Sequence, residues 1–127
     1  MNNCLIPVSL GELYDKFSIL LIKSEKISDQ TKLLEVKREI SLLEPYINKF
    51  NLNNEMRENI KLVNEKLWNI EDSIRLKEYK NEFDDEFIIL ARSVYIMNDE
   101  RAKIKNEINK ILNSEINEIK SYANYKL

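Results

Sequence analysis

Histidine is absent from this 127-residue chain, and the chain has only one glycine, two prolines and one cysteine. Without histidine there is no imidazole to bind zinc or to activate a serine or cysteine nucleophile. The single Cys4 has no partner for an internal disulfide. We therefore expect no metal site built on cysteine or histidine and no cofactor, and only Mg²⁺ held by carboxylates stays open.

The chain also lacks an excess of either charge and any long apolar run. Its net charge is −2 and its pI is about 5.4, which disfavours binding to nucleic acid or to an anionic membrane surface. No stretch approaches the roughly 18 consecutive apolar residues of a membrane span. Residues 1–30 lack the basic start, apolar run and small-residue cleavage site of a signal peptide. We expect one soluble, cytoplasmic domain, residues 1–127, that binds neither nucleic acid nor membrane.

The scarcity of glycine and proline predicts long helices and little sheet. Ser9 and Glu12 have the spacing of a capping box, so a helix is expected to begin there. Pro45 interrupts an apolar stripe without changing its phase, which predicts a kink or a one-turn break and not a new element. Four stripes at helical spacing predict helices at about 9–28, from the Ser28–Asp29 turn to Phe50, 54–80 and 85–112.

These elements predict an all-α fold, an antiparallel up-and-down four-helix bundle. Asn113 suits a left-handed cap, and Ser114 is expected to start a short C-terminal helix. Helices three and four are longer than one and two by roughly 10 Å, so their shared end should project. Apolar side chains at that end suggest a homodimer, unless residues 4–8 and the C-terminal helix cover them: Phe83, Phe87, Ile88 and Ile89.

Arginine is concentrated in one part of the chain. Only five arginines accompany fifteen lysines, and three of the five lie between Trp68, the single tryptophan, and Arg101. Arg101 falls within the apolar stripe of helix four, where an unpaired charge costs several kcal/mol. If helices three and four are antiparallel, Glu71 and Asp72 are its expected partners.

Two interpretations of this cluster stay open. One is an ion-pair network that fixes the register of helices three and four. The other is a polar groove that binds an anionic small molecule such as a nucleotide or sugar nucleotide, with Arg101 structural and Arg75 and Arg92 in contact with the ligand. No catalytic residue can be assigned. The candidate ligand-binding residues are Trp68, Glu71, Asp72, Arg75, Arg92, Tyr95, Asn98, Asp99, Arg101 and Lys105.

The same residues carry a resemblance to a family of short bacterial proteins of unknown function. It rests on Leu67-Trp68, Glu71-Asp72 and Arg75 on one helix, then Ala91-Arg92, Val94-Tyr95 and Asn98-Asp99 on the next. The opening stretch 11–20 and the closing Lys120-Ser121-Tyr122 resemble the family too. Asn113 departs from the family's glycine but permits the same cap. The resemblance implies a sugar-nucleotide or glycan setting and no particular mechanism.

An alternative from another class is a magnesium-dependent, all-α nucleoside-triphosphate pyrophosphohydrolase. Such enzymes hold Mg²⁺ with pairs of acids spaced three apart, and Glu55–Glu58 and Glu82–Asp85 have that spacing. The two pairs lie near opposite ends of helix three, roughly 36–40 Å apart, and could meet only across a dimer. With 22 acidic residues in the chain, such spacings also arise by chance.

Overall fold

The computed structural model describes residues 1–126, and this part of the chain contains four helices and no strand. The helices are α1 (Leu10–Lys26), α2 (Gln30–Lys49), α3 (Asn54–Tyr79) and α4 (Asp85–Ile111). They are 17, 20, 26 and 27 residues long, so the all-α bundle with two longer final helices is confirmed.

A polar side chain caps the start of every helix. Ser9 Oγ accepts a hydrogen bond from the backbone N–H of Glu12, as the capping-box spacing predicts. Asp29, Asn53 and Asp84 do the same for α2, α3 and α4. These caps explain why the predicted helix starts lie within one or two residues of the observed ones.

The turn after α4 and the helix around Pro45 agree with the predictions from the sequence. Asn113 adopts a left-handed conformation with φ of 54°, so the predicted cap of α4 is confirmed, and Asn81 has a φ of 56° in the α3–α4 turn. Pro45 lies inside α2, which continues to Lys49. The proline therefore does not divide α2 into two elements.

Helix α1 lies at the centre of the fold. It packs against each of the other three helices, α3 packs along α4, and α2 approaches α1 alone. The Tyr14 hydroxyl lies 2.6 Å from the carbonyl oxygen of Phe50, which ties the end of α2 to α1. The buried core contains Leu13, Tyr14, Ile47, Leu52, Met56, Ile60, Val63 and Ile108.

Helices α3 and α4 extend past the region that α1 covers. We call the part in which α1 packs against α3 and α4 the base, and residues 73–94 of the α3–α4 hairpin the tip. The tip exposes Phe83, Ile88 and Ile89, whereas Phe87 is half-buried. No described helix carries an apolar stretch that would cross a lipid bilayer.

The predicted C-terminal helix is wrong. Residues 115–126 are not helical, and we call residues 114–126 the strap because they run back along α4. Tyr125 donates to the carboxylate of Asp99 at 2.7 Å near the end of the strap. Ile116, Ile119 and Tyr122, which would share one face of such a helix, are 40%, 90% and 83% exposed, so little buried surface offsets the cost of helix nucleation.

Candidate functional site

Helices α1, α3 and α4 together line an open cleft of about 420 Å³. This volume lies in the range of small-molecule sites. Four of the nine lining side chains are apolar or aromatic, and the other five are polar or charged. The lining residues are Ile19 and Ile22 of α1, Asn64, Leu67, Trp68, Glu71 and Asp72 of α3, and Asn98 and Arg101 of α4.

Arg101 is held in this cleft by Asp15 of α1. Its Nε and one terminal nitrogen donate to the two carboxylate oxygens of Asp15 at 2.8 and 2.5 Å. The Asp15 side chain is 1% exposed and the Arg101 side chain is 29% exposed, so a desolvated carboxylate is paired with a partly accessible guanidinium. The hydrogen bonds to Asp15 raise the pKa of Arg101 despite its burial.

Asn64 and Ser18 complete the surroundings of Asp15. The Asn64 amide donates to Asp15 Oδ1 at 2.9 Å and to Ser18 Oγ at 2.8 Å. Ser18 Oγ in turn donates to the Asp15 carbonyl oxygen at 2.7 Å. Helices α1, α3 and α4 each contribute to this network, and the Arg101 guanidinium is therefore fixed relative to all three.

The prediction that Glu71 and Asp72 pair with Arg101 is wrong. Glu71 pairs instead with Arg75, one turn along α3, at 3.6 Å. The prediction considered α3 and α4 as an isolated pair. In the structure α1 lies against both helices and brings a buried carboxylate closer to Arg101 than either acid on α3.

Lys105 lies behind the cleft, between α4, α1 and the strap. Its Nζ is 2.7 Å from Glu12, 3.1 Å from Glu118 and 3.9 Å from Asp15, and its side chain is 6% exposed. Burial lowers the pKa of Lys105, but the nearby carboxylates raise it more, so the net pKa lies above its ordinary value. Lys105 therefore has a structural role as an interior cation.

Gly11 allows α1 to approach α4 closely. Its N–H donates to Asn109 Oδ1 at 2.6 Å, and a Cβ at this position would overlap the carbonyl oxygen of Lys105. The absence of a side chain at Gly11 thus permits a close contact between α1 and α4. Asp15 lies one turn further along α1, which brings its carboxylate within reach of Arg101.

The predicted ligand-binding residues fall into separate groups. Five of them line the cleft: Trp68, Glu71, Asp72, Asn98 and Arg101. Arg75 and Arg92 are exposed and lie outside it, and Lys105 lies in the buried network. Tyr95 and Asp99 line a second groove, of about 730 Å³, together with the strap residues Lys120, Tyr122, Tyr125 and Lys126.

Sequence reasoning missed the α1 half of the site. Gly11, Asp15, Ser18 and Ile22 recur at alternating spacings of four and three, a second helical stripe beside the apolar one. Small and polar residues in such a stripe indicate a close helix interface with internal pairing. The sequence therefore contains a signal for the α1 side of the site. It contains none for Glu118, because the contact of Glu118 with Lys105 depends on the path of the strap.

The acids of the alternative enzyme hypothesis remain apart. Glu55 and Glu58 lie in the first two turns of α3, and Glu82 and Asp85 lie beyond its other end. Within residues 1–126 no three histidine, cysteine, aspartate or glutamate side chains converge in a group that could hold a metal ion. No specific observation favours the pyrophosphohydrolase over a binding role.

The chain belongs to a family of unknown function, DUF6165, whose family model matches residues 5–126. No curated protein matches the chain, and no solved structure matches it. The chemistry of the cleft is therefore the basis for assigning a function.

Proposed function

We propose that this member of a family of unknown function is a ligand-binding module, and that its cleft binds a phosphorylated small molecule, a nucleotide or sugar nucleotide. One observation carries the proposal: the Trp68 indole and the Arg101 guanidinium line the same cleft, and Asp15 already fixes the guanidinium. A flat apolar surface beside a preorganised cation matches a ligand with a ring and an anionic group.

Each part of such a ligand has a matching group. The base or sugar ring lies against Trp68, which is half-buried. The Nη1 group of Arg101 makes no hydrogen bond within residues 1–126. In our proposal this group donates to the phosphate of the ligand. Glu71 and Asp72 accept hydrogen bonds from the sugar hydroxyls, as carboxylates do for ribose in other nucleotide sites.

Self-association is part of the same proposal. Phe83, Ile88 and Ile89 at the tip are each more than half exposed, and a second copy would cover them. The molar mass of the intact protein, measured by light scattering, tests this; a monomer mass at all concentrations contradicts it.

The ligand proposal is tested by titrating the protein with ribonucleosides, their monophosphates and sugar nucleotides, with and without Mg²⁺. The emission of Trp68, the only tryptophan, reports binding directly. We expect metal-independent binding that weakens roughly 10- to 100-fold in Trp68→Leu, since base stacking on an aromatic ring contributes about 1–3 kcal/mol. Calorimetry follows binding in that variant, which has no tryptophan.

Matched controls come from the tip. Tyr79→Leu removes a fully exposed aromatic side chain from the same helix, and Arg92→Ala removes an arginine outside the cleft; both should bind as the wild type does. The proposal fails if no compound in the panel binds or if Trp68→Leu binds as tightly as Tyr79→Leu. Mg²⁺-dependent release of pyrophosphate would instead support the enzyme.

A further inference from the structure

We infer that Lys120 of the strap provides the second cation of the cleft and determines its preference for a phosphorylated ligand over the same ligand without phosphate. The inference rests on the proposed function, since it concerns the same site. It goes beyond that proposal by assigning a specificity role to a residue that does not line the cleft.

The charges of the cleft lining require such a cation. The lining contains two carboxylates, Glu71 and Asp72, and one guanidinium, Arg101. Arg101 also neutralises Asp15, to which it gives two of its nitrogens. Arg75 offsets Glu71 at 3.6 Å, but no cation within residues 1–126 pairs with Asp72. A phosphate that enters the cleft therefore still meets a net negative charge, and its binding needs a further positive group.

The strap brings Lys120, which lines the second groove, into contact with a lining residue of the cleft. Glu118 and Lys120 of the strap both reach residues of α4. Glu118 contacts Lys105, and Lys120 Nζ donates to the backbone carbonyl oxygen of Asn98 at 3.3 Å. Asn98 is itself a lining residue, so the ammonium group lies next to the cleft.

Lys120 is free to exchange its present contacts for a phosphate. Its carboxylate neighbour, Asp99, is 3.9 Å away and already accepts a hydrogen bond from the Tyr125 hydroxyl. Its ammonium also lies 5.8 Å from the centre of the Tyr122 ring. These contacts are on the surface and individually weak, and a lysine ammonium has three donors on a flexible stem, so exchanging them for a phosphate costs little. Lys105 differs, because it is buried among three carboxylates and cannot leave them without exposing their charge.

The test compares each ribonucleoside with its own monophosphate in wild type and in Lys120→Gln. We expect Lys120→Gln to reduce the preference for the monophosphate about tenfold, the scale of one charge-assisted hydrogen bond, and to leave nucleoside affinity unchanged. Lys126→Gln is the matched control, since it removes the same charge from the same strap and should keep the preference.

The outcomes separate the two proposals. If neither nucleosides nor monophosphates bind, the proposed function is wrong and the role of Lys120 with it. If both bind and Lys120→Gln keeps the wild-type preference, the role of Lys120 is wrong and the proposed function stands. An equal loss of preference in Lys126→Gln would assign the effect to the total charge of the strap and also contradict a specific role for Lys120.

Discussion

Arg101 in the base and Arg75 near the tip are each paired with a carboxylate, yet their surroundings differ. Arg101 is 29% exposed and donates hydrogen bonds from two of its nitrogens to the buried Asp15 carboxylate. Arg75 is 79% exposed and lies 3.6 Å from Glu71 on its own helix. The first pair joins two helices, and the second lies along the surface of one helix.

The burial of the acid accounts for this difference. A buried carboxylate without its cation keeps the full cost of desolvation, whereas an exposed carboxylate regains water. Exposed pairs one helical turn apart stabilise a helix by only about 0.3–0.5 kcal/mol. The base therefore places Arg101 with precision, and the tip leaves Arg75 free to move.

Replacing the buried acid should show the largest effect. In Asp15→Ala, the partly buried Arg101 loses its partner, the buried Lys105 loses one of its three carboxylates, and Asn64 loses an acceptor. We expect a loss of about 3–5 kcal/mol in the free energy of unfolding, measured by urea denaturation.

Glu71→Ala is the matched control for that variant, because it breaks the exposed pair and leaves the base intact. Its free energy of unfolding should change by no more than about 0.5 kcal/mol. Similar losses in Asp15→Ala and Glu71→Ala would show that burial does not distinguish the two pairs.

A smaller loss is expected when α1 and α4 are forced apart. In Gly11→Ala the added Cβ meets the Lys105 carbonyl oxygen and lies 2.9 Å from Asn109 Oδ1. Overpacking of this kind costs about 1–3 kcal/mol, which exceeds the gain of at most about 1 kcal/mol from the helix propensity of alanine. A variant as stable as the wild type in urea denaturation would show that the two helices can separate at no cost.

The fold of this chain could be predicted from local signals. Ser9, Asp29, Asn53 and Asp84 cap the helices, and such caps act on neighbouring backbone groups that the sequence already reveals. The apolar stripes likewise depend only on helical period. The strap was mispredicted because its helical pattern has no partner surface to pack against.

The cleft could be predicted only on its α3 and α4 sides. Trp68, Asn98 and Arg101 are brought together by a hairpin whose turn is visible in the sequence. Asp15 lies 86 residues from Arg101 along the chain, and only the packing of α1 brings it to the other three. Which helix fills the space beside a hairpin is decided by the whole core, so the pairing could not be read from α3 and α4 alone.

The smallest expected effect concerns the tip and its dependence on pH. The Asp84 carboxylate accepts from the Phe87 N–H at 2.9 Å and contacts Lys77 Nζ at 3.0 Å. The Phe87 hydrogen bond, and then the Lys77 charge, lower the pKa of Asp84. A lowered pKa means that this stabilisation is present above the unfolded value of about 3.9 and is lost as the pH falls through the folded value.

Asp84→Asn isolates this effect, since asparagine still caps α4 and does not titrate. Wild type should be the more stable protein at neutral pH, and its advantage should shrink as the pH falls below about 4, in urea denaturation at a series of pH values. Acids that do not contact Lys77 cancel in the difference, whereas Glu82 and Glu86 share Lys77 with Asp84 and contribute to it. An advantage that stays constant from neutral to acidic pH would mean that the charge of Asp84 does not stabilise the tip. Of the two carboxylates tested, only Asp15 in the base would then stabilise the protein through its charge.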